Sequence, residues 1–172
     1  MRITFVNHAT LLIQGGGINI LTDPHFTKRC SPVSWAGPAR VHKPGVSFEN
    51  LPPIDYVLIS HDHYDHLDTE TIKMLKEKHD PKFFFGLGVG SRVEEISTNF
   101  LEMDWWDSEV VNEQLKIHFV EVQHFSGRGL TDRNSTLWGG FVVELKDRRL
   151  YFGGDSGYGS HYVRVRERFG PM

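Results

Sequence analysis

The 172-residue sequence predicts an α/β protein with a mixed sheet, and three observations carry that prediction. Short β-favouring runs open the chain, strand–helix units with continuous apolar strands follow, and alternating strands with one helix close it. The length fits a single domain over residues 1–172. Lys plus Arg is 19 against 22 Asp plus Glu, and the resulting charge of −3 argues against a chain built to coat nucleic acid. No apolar run approaches the roughly 20 residues that span a bilayer. The N-terminus also lacks the charged head, apolar run and cleavage site of a secretory signal. The one cysteine, Cys30, permits no internal disulfide and fits a reducing compartment. The expectation is a cytoplasmic protein, with peripheral membrane association left open because no clear anchor is encoded.

Element by element, Ile3 to Val6, Thr10 to Ile13 and Ile18 to Thr22 are β-favouring, and Gln14-Gly15-Gly16-Gly17 reads as a hairpin turn. The stretch from Asp23 to Pro53 is irregular and holds six of the eight prolines. A loop of that length is either functional or a packed surface excursion pinned by Phe26, Trp35 and Phe48. Tyr56 to Ser60 is a continuous apolar run, as expected of a strand buried on both faces. Asp68 then caps a helix to about His79 with Ile72 and Leu75 inward. Lys82 to Phe85 is a second buried strand. Ser91-Arg92-Val93-Glu94 reads as a capping box opening a helix to about Phe100. From Leu115, the residues Leu115, Ile117 and Phe119 face one way, with Lys116 and His118 opposite. Thr136 to Leu145 and Arg149 to Gly153 are strands joined by a charged turn. Tyr162, Val165 and Phe169 share a face of the closing helix.

Function is to be sought among the ten histidines, three of which fall within six positions. His61-Asp62-His63-Tyr64-Asp65-His66 follows a buried strand directly, and the ends of strands are where α/β sheets build sites. Alternate residues of an extended segment project together, so His61 and His63 can grip one ion, and Asp65 with His66, past the bend, another. Imidazole nitrogen with carboxylate oxygen suits Zn²⁺, and also Fe or Mn. Two ions need further ligands. His124 and Asp155 each stand where a later strand leaves its sheet, and a carboxylate such as Asp155 can bridge ions about 3.5–4 Å apart.

These residues resemble the metallo-β-lactamase superfamily. Asn7-His8-Ala9-Thr10, Leu21-Thr22-Asp23-Pro24, Trp35-Ala36-Gly37-Pro38, His61 through Asp68 and Asp104-Trp105-Trp106 resemble one branch of it, the N-acyl-phosphatidylethanolamine-hydrolysing phospholipase D family. So do His124 through Arg128, Leu137-Trp138-Gly139 and Gly154 through Tyr158. The resemblance implies a metallo-β-lactamase-like αββα sandwich, with the first lobe complete and the second lobe truncated. It also implies that His61, His63 and His124 hold the first metal, that Asp65 and His66 hold the second, and that Asp155 bridges them. Asp23 would orient the ligand loop, and His8 would sit at the site in either a functional or a structural role. A hydroxide between the ions would attack phosphorus in line, with Asp65 able to accept its proton.

One departure bears on this. The family places another metal-binding histidine downstream, in a His-Trp-Gly type segment, whereas here 17 residues follow Asp155. His161 is the only remaining histidine and is a poor substitute. The second metal would then bind more weakly, and the exposed edge and apolar surface of a short second lobe would favour self-association. The expected function is a metal-dependent hydrolase, a phosphodiesterase acting on a small-molecule or lipid phosphodiester and not on nucleic acid. Its alternatives are a lactonase for a phosphorylated sugar lactone and a catalytically silent metal-binding domain. The remaining features read as structural: Gly86 through Gly90 as a tight turn, Arg164, Arg166 and Arg168 as a solvated helix surface, and Trp105-Trp106 as packing.

Overall fold

The computed structural model describes residues 1–172. A first sheet runs in spatial order β1 (Arg2–Asn7), β2 (Thr10–Gly15), β3 (Ile18–Thr22), β4 (Tyr56–Leu58), β5 (Lys82–Gly86) and β6 (Phe100–Met103). Its first three strands pair antiparallel and β3 to β6 pair parallel. The second sheet joins β7 (Ser108–Asn112), β8 (Leu115–Val120), β9 (Gly140–Leu145) and β10 (Arg148–Phe152), all antiparallel. Helices α1 (Thr69–Lys78) and α2 (His161–Phe169) cover the outer faces, which makes an αββα sandwich.

The alternation of side chains along each strand explains the layers. Along β5, Phe83 and Phe85 point toward α1, where Ile72 and Leu75 meet them, while Phe84 points between the sheets toward Phe119 and Phe141. All three phenylalanines are buried, which is why this strand is apolar without a break. Each such side chain contributes about 1.5–3 kcal/mol by leaving water. On the far side, Val120 and Val142 of the second sheet pack beneath Val165 and Phe169 of α2. Asp68 caps α1 as expected, its side chain accepting the Thr71 amide.

Three expectations are corrected. The helix expected from Ser91 to about Phe100 is a short 3₁₀ turn at Val89–Arg92, followed by turns and then β6. The Ser91 hydroxyl donates back to the Gly88 carbonyl at 2.8 Å, and Phe100 pairs with Phe83, so completing the parallel sheet outweighs the local capping pattern. Val93, Ile96 and Phe100 still pack against one core, which is why their spacing looked helical. Residues 136–139 lie outside β9. There they join the sheets, with the Leu137 amide on the Leu87 carbonyl and the Gly139 amide on the Ser60 carbonyl. On α2 the buried face is His161, Val165 and Phe169, with Tyr162 more than a third exposed. No helix is long and apolar enough to cross a membrane.

Candidate metal centre

The parallel strands β3 and β4 end side by side, and their last residues feed directly into the site. Asp23 follows β3 with a left-handed backbone (φ 34°), its amide donating to the Leu58 carbonyl at 2.8 Å. That turn sends its fully buried carboxylate across the end of β4. There Oδ1 accepts the Ser60 amide at 2.7 Å, and Oδ2 accepts both the Ser60 hydroxyl (2.6 Å) and His66 Nδ1–H (2.7 Å).

These bonds fix which ring nitrogens face the centre. The Ser60 hydroxyl gives its proton to Asp23, so at 2.9 Å it accepts from His61 Nδ1–H. His61 Nε2 is thereby left with a bare lone pair, 2.8 Å from His63 Nδ1, and His124 Nε2 lies 3.3 Å from that same atom. Three imidazoles so close cannot all be charged. Burial, and then the rings of His66, His63 and His124, push the His61 pKa far down. His63 and His124 are also lowered, burial again being the main cause. The result is a neutral, nitrogen-lined cage, the form in which histidine binds a metal.

Beside it lies a group of opposite character. His8, Asp65 and His66 bring ligand atoms within 4.8 Å of one another, and so do His61, His66 and Asp155. His8 occupies the tight turn between β1 and β2 in the left-handed region (φ 41°), with Nε2 2.9 Å from Asp65 Oδ2. Burial opposes a charge on His66, but the carboxylates of Asp23, Asp155 and Asp65 outweigh it and raise its pKa to about 10. The cationic His66 ring, its Nε2 3.5 Å from Asp155 Oδ1, holds Asp155 well below the usual carboxylate range, with help from His61 and His124.

The donor set fits divalent metals. His66 Nε2 is buried with no hydrogen-bond partner, held between Asp65 Oδ2 at 3.6 Å and Asp155 Oδ1 at 3.5 Å. The other oxygen of Asp155 lies 3.9 Å from His124 Nε2, so this one carboxylate faces both groups. Gly154 sets its approach: a Cβ there would meet Ser60 Cβ at 2.5 Å, and the backbone is left-handed (φ 56°). Only glycine satisfies both conditions without strain.

The structure thus gathers His61, His63, Asp65, His66, His124 and Asp155 into one centre, with Asp23 behind it and His8 at its edge. His161 stands apart, buried and bonded to the Ser156 hydroxyl at 2.9 Å. Trp105 packs against the inter-sheet core and donates to the Trp138 carbonyl, while Tyr158 stays exposed. Sequence reasoning missed Ser60 as the residue that fixes the His61 tautomer. Its position, between a buried strand and the first ligand, was the available signal.

Two stacked sheets flanked by helices, with a histidine–aspartate cluster at the strand ends, define a metal-binding hydrolase-type sandwich. The chain belongs to the beta-lactamase superfamily domain family, whose model matches residues 18–172. An uncharacterised protein of Mycobacterium tuberculosis is 39% identical over the whole chain, which covers 46% of that protein. The N-acyl-phosphatidylethanolamine-hydrolyzing phospholipase D 1 of Caenorhabditis elegans is 35% identical over 98% of this chain and 51% of its own length. The chain therefore spans about half the length of these curated relatives. Among solved structures, a metallo hydrolase from Ignicoccus hospitalis superposes with a TM-score of 0.75 at 18% identity, over 99% of this chain and 67% of the other. This likeness is one of fold.

Proposed function

We propose that the chain carries the metal centre of a metal-dependent hydrolase that cleaves a phosphodiester, as the name of its C. elegans relative describes for that protein. The observation that carries this reading is Asp155, whose two oxygens face His66 on one side and His124 on the other. That arrangement suits a pair of ions rather than one. When bound, two divalent ions supply a water acidified to near neutral pH and neutralise charge on the phosphoryl oxygens.

The residues have distinct tasks in this reading. His61, His63 and His124 would hold one ion and Asp65 with His66 the other, and zinc suits the mixed nitrogen and oxygen donors. Asp23 keeps the proton on His66 Nδ1, so that Nε2 is the atom that would ligate once it has given up its own proton. Asp65 Oδ2, already paired with His8 Nε2, can take up the proton released when water attacks. A groove of about 600 Å³ opens beside Asp65 and His8, with Phe5 and Val41 supplying apolar surface and Arg40 and Lys43 positive charge. Its lining fits one substituent of an anionic small-molecule or lipid diester.

The test is metal analysis of protein purified without chelators, followed by assays of the loaded protein on N-acyl-phosphatidylethanolamine, simple aryl phosphodiesters and phosphorylated sugar lactones. Two ions per chain with diester cleavage are expected. Hydrolysis of lactones alone would replace the phosphodiesterase reading, and inertness toward every substrate in the loaded protein would refute a hydrolytic one.

A further inference from the structure

The segment 61–67 carries four of the six candidate ligands, yet it is not part of a helix or strand, so something else must hold its shape. Arg128 lies four residues beyond His124. Its Nη1 donates to the Asp62 carbonyl at 2.8 Å and to the Leu67 carbonyl at 2.7 Å, at opposite ends of the ligand segment. The guanidinium also lies over the Tyr64 ring, with Cζ 3.9 Å from the ring centre. A second tie runs the other way: the fully buried Asp62 accepts the Gly127 amide on Oδ1 at 2.7 Å.

The 124–128 segment is anchored in turn. Asp132 accepts the Arg128 and Gly129 amides at 3.1 and 2.7 Å and pairs with Arg92 Nη2 at 2.7 Å. Arg92 Nε lies 3.4 Å from Asp62 Oδ2, so a single cation faces both the ligand segment and the loop that follows His124. Neither Asp62 Oδ2 nor Arg92 Nε has another partner. A fully buried carboxylate facing a half-buried guanidinium is costly if only packing is needed, and rigid if geometry is what the pair secures.

We propose that Arg128 is a positioning residue for the metal centre: by clasping both ends of segment 61–67 to the chain that bears His124, it sets the separation of His63 and His124. Arg128 reaches no ligand atom itself; it acts on the backbone to which the ligands are attached. The inference rests on reading His61, His63 and His124 as a metal site.

The experiment is cobalt(II) titration of the wild-type protein, Arg128→Lys and Arg128→Gln, reading both affinity and the visible ligand-field spectrum, with thermal melting of each metal-free protein alongside. Outer groups of this kind typically change metal affinity about 10–100-fold. Arg128→Gln is expected to lose affinity in that range and to show an altered spectrum. Arg128→Lys keeps the donors but reaches less far and cannot lie flat on Tyr64. It should fall between, about three- to tenfold weaker than wild type. A folded glutamine variant with wild-type affinity and spectrum would overturn the proposal, whatever its melting temperature. Should that variant fail to fold, a lysine variant with wild-type affinity and spectrum would overturn it equally. Failure of the wild-type protein itself to bind cobalt would instead remove the metal reading, and this inference with it.

Discussion

One hexapeptide builds two neighbouring cavities with opposite electrostatics. The group formed by His61, His63 and His124 is all nitrogen, and burial keeps its rings neutral. The group around Asp65 and His66 is rich in carboxylate and retains a proton on His66 at neutral pH. The first is ready to receive a cation, whereas the second must give up a proton to do so. The difference arises from what lies behind each ring: a serine hydroxyl behind His61, a buried carboxylate behind His66. The tautomer and charge of each candidate ligand are therefore set one bond further out than the ring itself.

The harshest way to break this contrast is His124→Ala, which empties the nitrogen cage and leaves the other group in place. Loss of the first ion, together with about 4 kcal/mol of transition-state stabilisation or about a thousandfold in rate, is expected. Elemental analysis and initial rates on a diester are the readouts, and retention of two ions per chain would contradict the assignment. Next in size is Asp23→Asn, which keeps the shape of the support but removes its charge. Affinity for the second ion should fall about 10–100-fold while the first is largely retained, as two-step metal titration would show.

The pH dependence sharpens the same contrast. His66 is raised from 6.5 to about 10, so in the metal-free protein its stabilising contribution is complete below pH 6.5 and disappears as pH rises through about 10. Asp155 is depressed. Its contribution is present above the ordinary carboxylate pKa and is lost as pH falls through its lower folded value. Loading the second ion between pH 6.5 and 10 should therefore release a proton from His66, and affinity should climb across that window. Calorimetry in buffers of different ionisation heat measures the release; its absence would show that the ring is already neutral. The smallest effect is expected at Trp35→Ala in the irregular 23–53 stretch. Its ring is 79% exposed, so stability should change by no more than about 0.5 kcal/mol and metal content not at all.

What could be read from the sequence was what is local. His61 through His66 stand next to one another, and the buried strand before them is an unbroken apolar run, so both the site and its platform were visible. The end of β3 at Thr22 matches the sequence reading, whereas β4 stops at Leu58, two residues short of the Ser60 expected. Strand β6 was hidden because its partner, β5, lies across a stretch whose apolar residues fall at helical spacing and pack on one core. Strand β7 is short, and only alternate residues are partly buried. The brace from Arg128 was hidden for another reason: it grips main-chain carbonyls 61 and 66 residues away, and a carbonyl carries no residue identity to read.

Gly154 gives the architecture a consequence of its own. With a hydrogen atom for a side chain, it lets the segment that bears Asp155 lie closer to Ser60, just past β4, than any Cβ would allow. The two sheets are thus in steric register at the point where their chemistry meets. Neither can drift by the width of a methyl group without displacing the other's contribution. A single added carbon, as in Gly154→Ala, would act as a wedge between the halves of the sandwich, and would be felt first as a displaced Asp155 carboxylate.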